Sequence, residues 1–347
     1  MPKPPRYQFP PAPQPLPANI VDNHTHLESI SPYVERAGGE PISIGALIQQ
    51  AADAGVDRIV QCGCELPSAR WTDRILRYGF ADGDTEPQSA DDSRWDEMQG
   101  GVVGRVRRYA SAATTPQVAH LVGAIAIHPN EAVHHAGVRE IAADGLPPQP
   151  REHHQVPLAD AIAEIAQLAA NNPRIRAIGE TGMDLFRAGP LGAEAQKESF
   201  RAHIALAKEL NLALQIHDRD AHQQVIDILL KDGAPERTVF HCFSGDVEMA
   251  QLCASNGWYL SIAGPVTYRA NEVLRDVVRR VPLELLLVET DAPYLTPHPY
   301  RGQPNAPFVV AYTAQFIAET RLMTLLDLCR AISQNSETVY GSWAMDG

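Results

Sequence analysis

From Asn19 onward the chain alternates between two patterns. Short runs dominated by Ile, Val, Leu and Ala are followed by longer stretches whose apolar residues recur every three or four positions. The short runs predict strands at Ile20–His26, Arg58–Cys64, His120–His128, Arg174–Glu180, Leu212–His217, Arg237–His241, Trp258–Ala263 and Leu285–Asp291. The longer stretches predict helices at Ile44–Ala54, Ala193–Leu210, Asp220–Leu230, Glu272–Val281, Phe308–Thr320 and Thr324–Asn335. Near-continuous apolar strands separated by helices specify a parallel sheet covered on both faces. Two stretches break the rhythm, 79–118 and 131–157. Setting these and a proline-rich leader aside leaves about 260 residues, the size of a (β/α)8 barrel of ~250. The expected architecture is therefore α/β: a single TIM-like (β/α)8 barrel over 19–347, with two loop insertions and a Pro-rich N-terminal tail, 1–18.

Composition narrows the setting. With 44% hydrophobic and 20% charged residues the chain can build a sizeable core. No apolar run approaches the ~18 residues that span a bilayer. The leader carries eight prolines and no apolar core, so it reads as an extended, mobile segment rather than a secretory signal. Five cysteines, an odd number in a long chain, point to a reducing, cytoplasmic location. A net charge of −13 argues against a broad basic face gripping duplex phosphates. It leaves room for a nucleic-acid substrate where bound cations supply positive charge locally. The first insert opens with seven acids and one Arg between Asp82 and Glu97, the composition of a solvated loop.

The informative polar residues end the predicted strands, and a barrel places its site at that end. Strand one ends Asp22-Asn23-His24-Thr25-His26; His24 and His26, two apart on an extended chain, face the same side. Strands three to six end in His128, Glu180, His217 and His241, and strand eight in Glu289-Thr290-Asp291. Six of these groups suit a divalent metal: His24, His26, Glu180, His217, His241 and Asp291. Six exceed the three or four ligands of one catalytic zinc, and a carboxylate can bridge two cations ~3.5–4 Å apart. Glu180 is the expected bridge. Cys62-Gly63-Cys64 reads as small buried residues of a barrel strand. The pairs His134-His135 and His153-His154 are expected to face solvent, where they could pick up a metal adventitiously.

Seven ordered blocks make the chain resemble the TatD family of metal-dependent deoxyribonucleases, from Asn19 to about Gly341. They are Asp22–Leu27, Ile127–Asn130, Gly179–Asp184, Gln215–Ala221, His241–Gly245, Glu289–Leu295 and Arg301–Pro307. The resemblance implies an amidohydrolase-like barrel and metal-dependent phosphodiester hydrolysis, with 3′→5′ exonuclease action on single-stranded DNA. It implies two divalent ions (Mg, Mn or Zn), one held by His24, His26, Glu180 and Asp291, the other by Glu180, His217 and His241. His128 corresponds to a histidine beside the substrate phosphate. Glu28 stands where the family usually has Asp, and Asn130 where the block often reads His-Pro-His.

The residue types support that chemistry. Two cations give hydroxide near neutral pH, with Asp291 as general base and a protonated His128 on the phosphate or leaving oxygen. Arg219 and Arg301 are candidate phosphate contacts, and Tyr294 a candidate base-stacking residue. Asp22 and Glu289 are candidates for orienting ligands. The alternatives are a D-aminoacyl-tRNA deacylase, another amidohydrolase-type ester or amide hydrolase, or a non-catalytic scaffold using the leader and acidic insert. Related amidohydrolases bridge their metals with a carboxylated lysine on strand four; Glu180 there favours the TatD-like reading.

Overall fold

The computed structural model describes residues 7–80, 120–141 and 145–343. Eight parallel strands form one sheet whose spatial order is their sequence order: β1 (Ile20–Thr25), β2 (Val56–Gly63), β3 (Leu121–Ile125), β4 (Ile175–Asp184), β5 (Ala213–Arg219), β6 (Thr238–Phe240), β7 (Tyr259–Ile262) and β8 (Leu286–Val288). The segment after β8 curls onto β1. Asp291 N–H donates to His24 O (2.9 Å), His26 N–H to Ala292 O (2.9 Å), and the Asn23 amide to Val288 O (2.8 Å). The TIM-like barrel expected from the strand–helix rhythm is the fold observed.

Helices α1 (Leu27–Arg36) and α2 (Ile44–Asp53) link β1 to β2, and α3 (Leu66–Tyr78) follows β2. Then come α4 (Pro129–His135) and α5 (Leu158–Asn171) after β3, α6 (Pro190–Glu209), α7 (His222–Asp232), α8 (Val247–Ser255) and α9 (Glu272–Arg280). Helices α10 (Val310–Thr320) and α11 (Leu325–Tyr340) complete the outer layer. Side chains cap four of them: Ser43 for α2, His128 for α4, Asp246 for α8 and Thr324 for α11 each accept a first-turn N–H.

Two cores result from the alternation of side chains along each strand. The outer one packs Ile20, Ile59, Ile125, Ile178, Ile216 and their like against the helices. The inner one fills the barrel with small residues, among them Val21, Val60, Cys62, Ala124, Ala177, Ala213 and Val239. Tyr340 and Trp343 join this inner core. Helix α11 therefore runs five residues past the predicted Asn335: its last turn delivers Tyr340 to the barrel interior.

Several boundaries differ from the sequence reading. Strand β4 continues four residues beyond Glu180, and β5 two beyond His217. Strands β3, β6 and β8 stop short of His128, His241 and Asp291. Helices α1, α3, α4, α5 and α8 were not picked out by periodicity. The second insert is partly regular, since α4 enters it and Glu152–Gln155 forms a 3-10 turn. The leader, expected to be mobile, makes specific contacts over residues 7–18. Leu16 is buried and donates its N–H to Ala54 O (3.0 Å), Phe9 packs edge-on against Phe308, and Tyr312 Oη donates to Pro11 O (2.9 Å). The acidic part of the first insert lies outside the described residues. Among those described, no helix is long and apolar enough to cross a membrane.

Candidate metal centre

The strand ends (His24, Glu180, His217) and the turns just after them (His26, His241, Asp291) bring all six expected ligands to one mouth of the barrel. Two local irregularities make this geometry. Val21 and Ala177 point into the barrel, so strict alternation would turn His24 and Glu180 outward. The β1–β2 register shifts between Asp22 and Thr25, and the β4–β5 register between Ile178 and Thr181. Each shift reverses the parity of the residues beyond it, as bulges beside active sites do. Just past the second shift, β4 approaches β5 so closely that a Cβ on Gly182 (φ 140°) would lie 2.1 Å from His217 O. Only glycine fits there.

Glu180 is the hub. Its Oε1 is 3.7 Å from both His24 Nε2 and His26 Nε2. Its Oε2 is 2.7 Å from His241 Nε2, 3.0 Å from His217 Nδ1 and 4.0 Å from His128 Nε2. Asp291 Oδ1 lies 3.5 Å from His26 Nε2 and 3.9 Å from His24 Nε2. Donor atoms of His24, His26 and Glu180, of His24, His241 and Asp291, and of His128, Glu180 and His217 each gather within 4.8 Å.

The hydrogen bonds around the rings fix their tautomers. Gln215 Nε2 donates to Asn23 O and Tyr340 Oη, which leaves Gln215 Oε1 to accept from His24 Nδ1 at 3.0 Å. His26 Nδ1 donates to Cys62 O at 3.1 Å, because a carbonyl can only accept. The two Nε2 atoms therefore face each other across 3.3 Å. His241 Nδ1 donates to Glu289 Oε1 at 3.2 Å, and its Nε2 faces Glu180 Oε2 at 2.7 Å. Imidazole nitrogens and carboxylate oxygens converging in this way are held together by protons when no ion is bound, and would be held by cations in their place. The donor set fits divalent metal ions held at this mouth.

Charges respond to the same crowding. Burial alone would raise the carboxyl of Glu180, but His241 and the other facing imidazoles hold it well below the usual range. His241 is pushed well above the ordinary imidazole value: burial opposes this, but Glu180 and Glu289 prevail. A proton there occupies ground suited to a cation. His217 is raised as well, against burial, by carboxylates at both ring nitrogens: Glu180 and Asp184, the latter at 3.3 Å from Nε2. His128 behaves oppositely: burial and neighbouring His217 lower it to about 4. It accepts the Asn130 N–H at Nδ1 (3.0 Å), so near neutral pH it offers Nε2–H as a neutral donor.

Supporting groups fall where expected, with additions. Asp22 accepts from Thr290 N (2.8 Å) and Oγ1 (2.6 Å), and burial lifts its carboxyl to about 7. Glu289 also accepts from Cys242 N at 2.7 Å. Glu28 sits 4.0 Å from His26 Nδ1 and is held by Gln61. Sequence reasoning missed Gln215 and Asp184, although strand alternation from His217 and Glu180 points to both. It also treated Cys64 as packing, whereas its Sγ lies 3.3 Å from Glu180 Oε1; Cys62 does belong to the barrel core.

The expected substrate contacts lie further out. Tyr294 is 49% exposed, with Tyr33 edge-on at 5.9 Å, which excludes a core role. The Arg219 guanidinium stacks 3.9 Å over Phe186 instead of pairing with Asp218, which accepts from His222. Arg301 lies 4.7 Å over Tyr268.

Comparison with known proteins agrees with this geometry. The family described as TatD related DNase matches residues 21–341. A Mycobacterium tuberculosis protein named uncharacterized metal-dependent hydrolase TatD is 34% identical over 326 residues, 93% of this chain and 98% of its own. The crystal structure of the Escherichia coli TatD homologue YJJV superposes with a TM-score of 0.66 at 22% identity, covering 92% of this chain and 97% of its own. That of a TatD family hydrolase from Entamoeba histolytica gives 0.67 at 17%, covering 94% and 99%. The chain thus belongs to the TatD family of metal-dependent hydrolases.

Proposed function

We propose that this hydrolase cleaves phosphodiester bonds of DNA, acting from the 3′ end of single strands, with two divalent cations at the barrel mouth. The observation that carries the reading is the division of Glu180, one oxygen toward His24 and His26, the other toward His217 and His241. One carboxylate serving two donor groups is the arrangement of a bridging ligand. Bound there, the cations supply Lewis acidity toward a phosphoryl group and acidify water near neutral pH.

The chain's own residues do the rest. Asp291 faces the His24–His26 pair and takes the proton of the attacking water. His128 directs its Nε2–H at a phosphate oxygen. Arg219 and Arg301, preorganised on aromatic faces, pair with flanking phosphates. Exposed Tyr294 stacks the terminal base. These cations and imidazoles offset locally a chain that is acidic overall.

The test is turnover of a short single-stranded DNA labelled at either end, under Mg2+ or Mn2+, beside a D-aminoacyl-tRNA. Shortening from the 3′ end is expected, with Asp291→Asn lowering the rate about 10²–10⁴-fold. Hydrolysis of the aminoacyl ester with no DNA cleavage would replace the phosphodiesterase reading by the deacylase one.

A further inference from the structure

A second histidine–carboxylate cluster lies outside the barrel mouth. It joins α4 to the 3-10 turn of the second insert. Glu131 and His135 are one helical turn apart on α4 and so share a face. His153 and His154 come from the turn Glu152–Gln155. One donor atom from each of the four lies within 4.8 Å of the others. The sequence reading placed these histidine pairs in solvent; instead His135 and His154 are buried, and the His153 side chain is only 8% exposed.

Tautomers again identify the donors. His135 Nδ1 donates to Val156 O at 2.7 Å, so Nε2 carries a lone pair. That Nε2 is buried with no hydrogen-bond partner, in a residue 4% exposed. An orphan of this kind is destabilising unless something satisfies it. A ligating imidazole held by a backbone carbonyl at its other nitrogen is the usual arrangement around a metal. His153 Nε2 donates to Glu131 Oε2 at 3.0 Å and lies 3.8 Å from Glu65 Oε2, so an ion that takes this nitrogen displaces its proton. His154 differs: its Nδ1 accepts the Arg151 N–H at 2.7 Å, so its Nε2 carries the proton and donates to Glu131 Oε2 at 2.6 Å. His154 therefore orients the carboxylate.

We infer that His135 Nε2, His153 Nε2 and Glu131 form a zinc-type site, separate from the barrel mouth, with Glu65 or water completing four-coordination. Two imidazoles and a carboxylate suit Zn2+ in tetrahedral geometry. The ion clips the insert, far in sequence from α3, onto the helices that follow β2 and β3. Glu65 is the residue that precedes α3, and His128 is the residue that precedes α4. The site thus secures the segment carrying His128 without touching substrate. The inference is independent of the substrate proposed above.

The test uses full-length protein stripped with a chelator, reloaded with Zn2+ alone and desalted. Zinc per chain is read by elemental analysis and the unfolding midpoint by circular dichroism. Wild type is expected to retain one more zinc than His135→Gln/His153→Gln. In a Glu180→Ala background, with both mouth ions lost, Zn2+ should still raise the midpoint, and adding Glu131→Gln should abolish that rise. Should the double variant lose folded signal, Glu131→Gln alone supplies the stoichiometry. Equal zinc content in wild type and the cluster variants, or a midpoint in the mouth variant indifferent to Zn2+, overturns the site.

Discussion

At the scale of single residues, the mouth is governed by which nitrogen carries each proton. His24 and His26 are poised because Gln215 and a backbone carbonyl take their Nδ1 protons. Gln215→Leu keeps the bulk and removes the acceptor. We expect metal affinity to fall about 10–100-fold, measured by competition with a chelating dye, together with a lower unfolding midpoint because Asn23 O and Tyr340 Oη lose their donor. Glu180 and His217 should behave differently from each other. Glu180→Ala should lose both mouth ions together, because its two oxygens face different imidazole pairs. His217→Ala should mainly empty one. Equal losses by elemental analysis would remove the bridging assignment. The ligand-type residues themselves are legible in the sequence, since each ends an apolar run. Their partners Gln215 and Asp184 are less so, because an amide or acid near a strand-end ligand has no meaning until the ring opposite is located.

Among elements, α6 shows how a helix serves a strand it does not continue. His203 on α6 is buried; Nδ1 donates to Ser199 O (2.8 Å) and Nε2 accepts the Ile127 N–H (3.2 Å) just before His128. Burial lowers its pKa from 6.5 to about 4, with the Ser199 contact opposing. The unfolded chain binds this proton first as pH falls, so the neutral ring's contribution is intact above about 6.5 and drains away toward 4. At 1.36 kcal/mol per pKa unit, this is on the order of 3 kcal/mol. His203→Leu should be less stable at pH 7.5, leaving the Ile127 N–H unpaired. The gap to wild type should narrow as pH drops from 6.5 to 4, as read by urea unfolding at a series of pH values. A gap that stays constant would mean the ring is not held neutral. Helices such as α3 and α5 escaped the periodicity reading although both are amphipathic; their flanks, 79–118 and 131–157, have no regular pattern to mark where they begin or end.

For the whole molecule, closure matters most. The barrel is joined between β8 and β1 by the segment that carries Asp291, so the same backbone bonds that complete the cylinder place a ligand. The leader adds a strap across the outer layer, with Leu16 only 9% exposed. Deleting residues 1–17 should cost about 1.5–3 kcal/mol, the burial of one Leu side chain, measured by chemical denaturation. An unchanged midpoint would show the leader to be a passive tail. The proline-rich composition concealed this contact, because composition reports what a segment cannot build alone and not what surface is offered to it.

The sequence by itself determined the barrel, the strand-end histidines and acids, and the family blocks, because hydrophobic periodicity and ligand chemistry are local properties of the chain. Only the tertiary structure decided that His24 and Glu180 point inward, since two register shifts between neighbouring strands reverse the alternation that the chain alone implies. It alone decided the protonation of each ring and the meeting of α4 with a turn some twenty residues away. Tautomer and charge depend on which acceptor lies within 3 Å, and that distance is set by packing between segments whose separation along the chain carries no such information.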